Sequence, residues 1–376
     1  MSQRRIAERL GISVTTVSRA LAGYEDVAGT TRARVAAEAR RIGYVPNETA
    51  RRLQSGRSGA VGVVVPAEPG RFDPFFLGML ASIGPLLARQ GLALVMMSGR
   101  PGAEEMHAYR HLVEEHRVDG VLLARTRRHD PRIAYLLHSF VPFVAHGRTE
   151  TRRAYAHLDI DGEAAFRMAA ERLIGFGHRR IGLINAPAEY MFARHREAGW
   201  RRALAASALK PGPMLASDPS EEGGELAMRR LIASGDPPSA VLCATDRMAV
   251  GALAALAAAR LRAGRDISLI GYDNLPIATY TDPPLTTIDQ PLEAMAARLV
   301  EMLIALIGGA SPAEFAEVRA PVLIPRASDG PVGGAMRNRT QRYNRENRER
   351  EGGDNARTIR RDPPGDPPGD PPQRLH

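Results

Sequence analysis

The chain of 376 residues holds one cysteine (Cys243), one tryptophan and, among 51 basic side chains, one lysine (Lys210). A single thiol cannot close an intramolecular disulfide, so nothing calls for an oxidising compartment. No apolar run reaches the ~18 residues of a membrane-spanning helix, and the N-terminus has no signal-peptide pattern. A cytoplasmic chain without membrane contact is expected. The motifs of catalysis and nucleotide binding are missing too: there is no GxGxxG after a strand, no GxxxxGK followed by Ser or Thr, no HExxH and no GxSxG. His107, His111 and His116 share helix-compatible spacing, but no cysteine or carboxylate arrangement completes a metal set, and a solvated helix face accounts for them. No enzymatic activity, metal or cofactor is expected.

What the chain has in excess is positive charge, +9 overall. With arginine as the cation everywhere, its bulk content says little, and its placement says more. Residues 1–58 hold eleven Arg against five acidic groups, an imbalance that suits a nucleic-acid partner. Within them, IAERLGISVTTVSRAL (6–21) places Ala7, Leu10, Val14, Val17 and Leu21 at helical spacing, interrupted by Gly11. Gly11 tolerates a tight turn and Ser13 can cap a helix starting at Val14, so two short helices meeting steeply are expected, the helix-turn-helix arrangement. Val35, Ala36, Ala39 and Ile42 predict a third helix from Thr31 to Ile42, ended by Gly43.

Off the apolar stripe of the second helix, Thr15 and Thr16 are the best base-reading candidates, and Val14 can meet a thymine methyl or serve as partial core. Ser18 and Arg19 suit phosphate or guanine. An ordinary helical hairpin would read similarly on this stretch alone. Next, Asn47 can cap a short helix from Glu48 to about Gln54, with Ala50 and Leu53 as its scant apolar surface, too little for stability alone.

From Ala60 onward, short β-rich runs alternate with amphipathic stretches: AVGVVVP (60–66), LALVMMS (92–98), GVLLA (120–124), PFVAHG (142–147), RIGLINA (180–186), AVLCAT (240–245) and SLIGYD (268–273). Runs buried on both faces and joined by helices predict parallel sheets in an α/β fold, with ligand sites beyond the carboxyl ends of the strands. Residues 328–376 break with this pattern. They hold ten Arg against eight acidic groups, DPPGDPPGDPP and no leucine heptad, and a disordered tail is expected there.

The ordered set GISVTTVSRAL, TRARVAAEARRIGYVPN, ARRLQSGRSGAVGVVVP, DPFF (73–76), GHRRIGLI (177–184), REAGW (196–200), ATDRMAVGAL (244–253), ISLIGYDN (267–274) and PPLTTIDQP (283–291) closely resembles the lac repressor family of bacterial transcription regulators, over residues 3 to about 326. The resemblance implies an all-α helix-turn-helix headpiece (1–46), a hinge helix and linker (47–58) and a two-lobed, periplasmic-binding-protein-like α/β core with parallel sheets (59–327). The lobes would comprise 59–159 with 290–318 and 160–289 with 319–327, with 328–376 as the tail. Asn47 and Ala50 match hinge positions lying near DNA, and Leu53 matches a leucine wedged into the minor groove, unless it is a plain packing residue. The family usually has several residues ahead of its first helix, so a start codon upstream of Met1 stays open.

For the effector, the resemblance points to Asp73, Phe76, Asp161, Arg196, Asp246 and Asp273 in a cleft between the lobes. An arginine fork and several carboxylates suit vicinal hydroxyls. For Asp161 and Asp246, helix capping explains the residue equally well. DGVLLARTRRHDPR with VPFVAHGRT resembles regulators of α-glucoside or other oligosaccharide uptake, although a purine or another metabolite would use similar groups. The expectation is a repressor, a homodimer on a pseudo-palindromic double-stranded DNA operator, controlled by a mono- or oligosaccharide. The alternative is a two-lobed sugar-binding protein of transport type. That reading would need an export signal and leaves residues 1–58 without a use.

Overall fold

The computed structural model describes residues 3–21, 24, 26–44, 56–66 and 73–333. The expected hinge residues Asn47, Ala50 and Leu53 lie outside the described residues, as does the tail from residue 334.

The N-terminal unit has three helices, α1 (Gln3–Leu10), α2 (Val14–Leu21) and α3 (Gly29–Arg41). Gly11 takes φ +64°, where a side chain would be strained, and so lets α2 turn off α1. Ser13 Oγ accepts from the Thr16 amide at 3.0 Å, the expected cap. The helices close on Ile6, Val17, Val35, Ala39 and Ile42, with half-buried Leu10 and Leu21 against them.

In the core, β1 (Ala60–Pro66), β2 (Ala93–Gly99), β3 (Gly120–Leu123), β4 (Phe143–His146) and β5 (Ala156–Ile160) are joined by α4 (Pro74–Arg89), α5 (Ala103–Glu114) and α6 (Pro131–Ser139). After α7 (Gly162–Gly175) come β6 (Ile181–Asn185), α8 (Met191–Ala206), β7 (Met214–Ala216), α9 (Glu221–Ala233) and β8 (Ala240–Cys243). They are followed by α10 (Asp246–Ala258), β9 (Ser268–Asp273), α11 (Ile277–Tyr280), β10 (Thr286–Asp289), α12 (Leu292–Ile307), β11 (Ala316–Arg319) and β12 (Val322–Ile324).

Among the described residues the strands form two six-stranded sheets, ordered β11-β5-β4-β3-β1-β2 and β12-β10-β9-β8-β6-β7. The chain therefore passes between sheets after Ile160, after Asp289 and after Arg319. Pairing is parallel throughout (Val61 opposite both Leu94 and Gly120), except that β12 runs antiparallel to β10. Apolar clusters cover both faces of each sheet, which is why the strands read as continuous apolar runs. Close helix packing explains two glycines: a Cβ at Gly199 would run into the Glu163 carbonyl where α8 crosses α7, and one at Gly251 into the Glu221 carbonyl where α10 meets α9.

The expected tail begins too early at residue 328. Ser328 is fully buried and donates to the Leu269 carbonyl at 2.6 Å while accepting from the Thr286 amide at 2.8 Å. Asp329 accepts from Thr286 Oγ1 at 2.5 Å and from Arg172 at 2.6 Å. Residues 328–330 thus seal the end of the second sheet. They carry no apolar periodicity because their hold on the core is polar.

Candidate functional site

On the headpiece, Val14 (42 % exposed) and Thr15 stand clear of the core, and Thr16 and Ser18 are half-buried. Val14 is thus partly covered, with the rest of its side chain accessible from outside. The Thr16 hydroxyl lies 2.8 Å from Ser13 Oγ and so belongs to the cap as well as to the outer face. Arg19 pairs with Asp26 and lies over the Tyr24 ring, 5.1 Å from its centroid. Both side chains of that pair are about half exposed, so phosphate can displace the carboxylate at little cost. Glu38 gathers Arg9 and Arg41 at 3.3 and 2.7 Å. The surface is basic and carries hydroxyls together with the methyls of Val14, Thr15 and Thr16, groups that suit a major groove.

The second site is a cleft of about 940 Å³, open space at its mouth included. It is lined by the carboxyl ends of strands in both sheets, where open parallel sheets place ligands. Thr126 follows β3, His146 ends β4, Ile160 ends β5, Tyr272 and Asp273 end β9, and Gln290 follows β10. Across the cleft, the Thr126–Arg128 segment joins Glu189–Met191 through backbone bonds: the Arg128 amide to the Glu189 carbonyl at 3.0 Å, and the Met191 amide to the Thr126 carbonyl at 2.9 Å.

Arg196, on α8, is 5 % exposed. Its guanidinium lies flat over Tyr272 (3.7 Å to the centroid) and near Phe192 (4.6 Å), and one Nη donates to the Ala244 carbonyl. Three buried side-chain nitrogens among the described residues lack a hydrogen-bond partner, and two of them, Arg196 Nε and His146 Nε2, belong to residues lining the cleft. An unsatisfied buried donor costs ~1–3 kcal/mol, a deficit that a ligand hydroxyl would remove. Burial pushes the His146 pKa down, against the pull of Asp159, so the ring is neutral at physiological pH.

Asp273 stands at φ +122°, a conformation few side chains adopt, and accepts from Gln290 Nε2 at 2.6 Å. Burial raises its pKa well above the carboxylate range, with Arg196 opposing. Backbone strain and a desolvated carboxyl beside an arginine are features of binding sites.

Of the sequence-derived effector residues, Asp73, Phe76, Arg196 and Asp273 line this cleft. Asp73 also caps α4 at the Phe75 amide (3.1 Å) and accepts from Arg125 at 2.8 Å. Asp161 and Asp246, expected in the cleft, are not among the residues that line it. Asp161 Oδ1 accepts from the Glu163 and Ala164 amides, both at 3.1 Å, and serves as the N-cap of α7. Asp246 is fully buried behind the cleft, held by Thr287 Oγ1 at 2.6 Å and the Leu275 amide at 2.8 Å, while its neighbour Thr245 caps α10.

Sequence reasoning missed His146, Tyr272, Gln290 and Phe192. The first three stand inside apolar or turn-flanked segments that the sequence does mark (PFVAHG, SLIGYD, PPLTTIDQP), and Tyr272 directly precedes Asp273. A search for aromatic and amide neighbours of each strand-end carboxylate would have found Tyr272 and Gln290.

The family model "Bacterial regulatory proteins, lacI family" matches residues 4–47, and "Periplasmic binding protein-like domain" matches residues 170–328. The HTH-type transcriptional regulator RafR of Escherichia coli is 36% identical over 328 residues, covering 86% of this chain and 97% of that protein. AglR of Rhizobium meliloti (strain 1021) is 39% identical, covering 88% and 94%. Among solved structures, a transcriptional regulator CelR–cellobiose complex is similar with a TM-score of 0.66 and 31% identity, covering 87% of this chain and 99% of the other. The lac repressor dimer bound to operator and the anti-inducer ONPF gives a TM-score of 0.76 and 26% identity, covering 88% and 99%. With its helix-turn-helix headpiece and two-sheet core, the chain belongs to the lacI family of bacterial regulatory proteins and is a DNA-binding transcriptional regulator.

Proposed function

We propose that the chain is a cytoplasmic repressor, acting as a homodimer on a pseudo-palindromic operator, and that a small sugar in the cleft sets its DNA affinity. The observation that carries the sugar reading is the pair of unpartnered buried nitrogens, Arg196 Nε and His146 Nε2, beside Asp273 and the rings of Tyr272 and Phe192. Hydroxyls satisfy the nitrogens and the carboxyl, and the C–H face of a pyranose suits the rings. The CelR–cellobiose complex supports a sugar as effector class, with α-glucosides or other oligosaccharides as the finer choice.

For DNA, Val14, Thr15, Thr16, Ser18 and Arg19 read the major groove, and Asn47, Ala50 and Leu53 act in the minor groove between half-sites. The route from cleft to headpiece begins at a clasp. Asp119 accepts from the Ser58 amide (2.6 Å), Ser58 Oγ (3.0 Å) and the Gly59 amide (2.8 Å), and Arg57 donates to the Ile307 carbonyl at 3.2 Å. The chain leaving the headpiece is thereby anchored to β3 and the end of α12, so movement of the first lobe moves it. A ligand shifts this equilibrium only by its difference in affinity between the two lobe arrangements.

Fluorescence anisotropy tests the proposal. At physiological salt a promoter-derived duplex should bind ~10³-fold or more tighter than random duplex. A panel of glucose, maltose and cellobiose should contain at least one sugar that changes that affinity. No preference for any promoter fragment refutes the DNA half; tight operator binding that no sugar alters refutes the effector half.

A further inference from the structure

Two backbone segments, one from each lobe, meet at the rim of the cleft. Arg127 and Tyr190 form an antiparallel β-bridge, with the Arg128 amide donating to the Glu189 carbonyl at 3.0 Å and the Met191 amide to the Thr126 carbonyl at 2.9 Å. We infer that this bridge is a latch: it holds the lobes together on the side away from the crossovers, and a ligand enters or leaves the cleft only while it is open. The kinetic half of the inference rests on the sugar-effector reading, whereas the holding half needs no ligand.

Strand order places the latch where it has leverage. The chain crosses between lobes after β5, β10 and β11. The segment after β3 lies two strands from β5, and the segment after β6 lies three strands from β10. At ~4.8 Å per strand the latch stands roughly 10–14 Å from the crossovers. His146, at the end of β4, and Asp273, at the end of β9, fall between the two. The cleft is thus fastened on both flanks, by the chain itself on one and by hydrogen bonds on the other.

Each half of the latch is firmly seated. On the first lobe, the Arg127 amide donates to Asp130 at 2.9 Å, Arg132 donates to the Arg125 carbonyl at 2.9 Å, and Thr149 Oγ1 donates to the Arg127 carbonyl at 2.8 Å. Arg132 is 3 % exposed and paired with both Asp130 and Glu105, so buried charge backs the segment. On the second lobe, Met191 is the first residue of α8, the helix that also carries Arg196. Opening the bridge therefore carries the cleft arginine away from the first lobe. Glu150, 2.7 Å from Arg128 and 3.7 Å from Arg194, adds an exposed ion pair of small worth. The two bonds of the bridge join main-chain groups, so no residue pattern announces them.

Met191→Pro breaks one of these bonds and spares the helix. Proline is tolerated at the first helical position, and Tyr190, at φ −80° and ψ 132°, has the extended backbone that a following proline requires. Met191 is 6 % exposed, so Met191→Ala, which keeps the amide, is the control for the lost side chain. In hydrogen–deuterium exchange on the full-length protein without ligand, the Arg128 amide should exchange roughly two- to tenfold faster in Met191→Pro than in Met191→Ala. Equal exchange overturns the latch. Arg127→Cys with Tyr190→Cys supplies the opposite perturbation. The flanking bonds make these two a non-hydrogen-bonded pair, whose Cα atoms lie ~4.5 Å apart, within reach of a disulfide. Cys243 is fully buried and does not compete. Oxidation should slow Arg128 exchange, which decides the latch if Met191→Pro does not fold. In stopped-flow mixing with glucose, maltose or cellobiose, followed by the fluorescence of Trp200 on α8, the oxidised pair should take up sugar at least about tenfold slower than the same protein reduced. Equal rates overturn the gating. If none of the three sugars binds, the sugar reading falls, and exchange alone decides the latch.

Discussion

Asp246 is a carboxylate whose pKa burial raises to about 6, against the opposing hydrogen bonds of Thr287 and the Leu275 amide. A raised acid pKa means that the folded state holds its proton more tightly than the unfolded chain. Stability from this group is therefore greatest at low pH and is lost as pH rises from about 4 through about 6. A shift of two units corresponds to ~3 kcal/mol in full, of which roughly 1.4 kcal/mol falls between pH 5 and pH 7.5. Asp246→Asn removes the titration and preserves the shape. The amide oxygen can accept from Leu275, and the amide nitrogen can donate to Thr287 Oγ1, whose hydroxyl has the Ile288 carbonyl within 3.4 Å. The stability gap between variant and parent should therefore move in favour of asparagine by ~1.4 kcal/mol over that pH range, read as the change in urea-denaturation free energy at each pH. Comparing the two proteins at each pH cancels every other titrating group. A gap that stays constant from pH 5 to 7.5 would refute the raised pKa and the burial that causes it. Sugar binding supplies a second reading: if Asp246 touched the effector, Asp246→Asn would weaken binding ~10-fold or more, whereas a tether behind the cleft leaves most of the affinity in place.

Arg196→Lys keeps the charge but loses the flat stack on Tyr272 and the Nε donor, and should weaken effector binding by ~10–100-fold in calorimetry; an unchanged Kd would remove Arg196 from the site. Ser13→Ala deletes the cap at the start of α2 and should cost ~1 kcal/mol of headpiece stability by thermal melting, more than the same change at exposed Ser207. Thr15→Ala should lower operator affinity by ~1 kcal/mol or more with little change for random duplex; equal losses on both would mean a phosphate contact instead. A chain ended after residue 327 should melt lower than one ended after residue 333, because it loses the bonds of Ser328 and Asp329 to β9 and β10. Equal melting temperatures would refute that hold.

The architecture was legible where one physical signal dominated. The seven apolar runs named from the sequence all contain strands: six lie inside a sheet covered on both faces and have no polar alternation to confuse with a helix, and β2, at a sheet edge, still carries a continuous apolar run. The edge strands β7, β11 and β12 were not legible. Met214–Ala216, Ala316–Arg319 and Val322–Ile324 are three or four residues long and at most half-buried, so their sequences carry little of the interior. Residues 328–330 were misread for the opposite reason: the chain there is buried through Ser, Asp and a glycine carbonyl that accepts from Ser268 at 3.1 Å, a hold that hydropathy cannot register.

The same distinction separates the carboxylates that line the cleft from those that do not. Asp246 and Asp273 both stand at the end of a second-sheet strand, and composition cannot tell them apart. Asp273 reaches the cleft through a backbone turn at φ +122°, whereas Asp246, one residue into α10, turns back to bind Thr287 and Leu275. Gly271 registers that inward turn: a Cβ there would overlap Asp246 Oδ1, so the glycine of SLIGYD is required by the buried carboxylate on the neighbouring strand's helix rather than by its own turn. The glycine thus answers to a residue twenty-five positions upstream, a dependence no local pattern expresses. Gly271→Ala should accordingly destabilise the core by ~1–3 kcal/mol, and pairing it with a shortened side chain at position 246 should recover part of that loss.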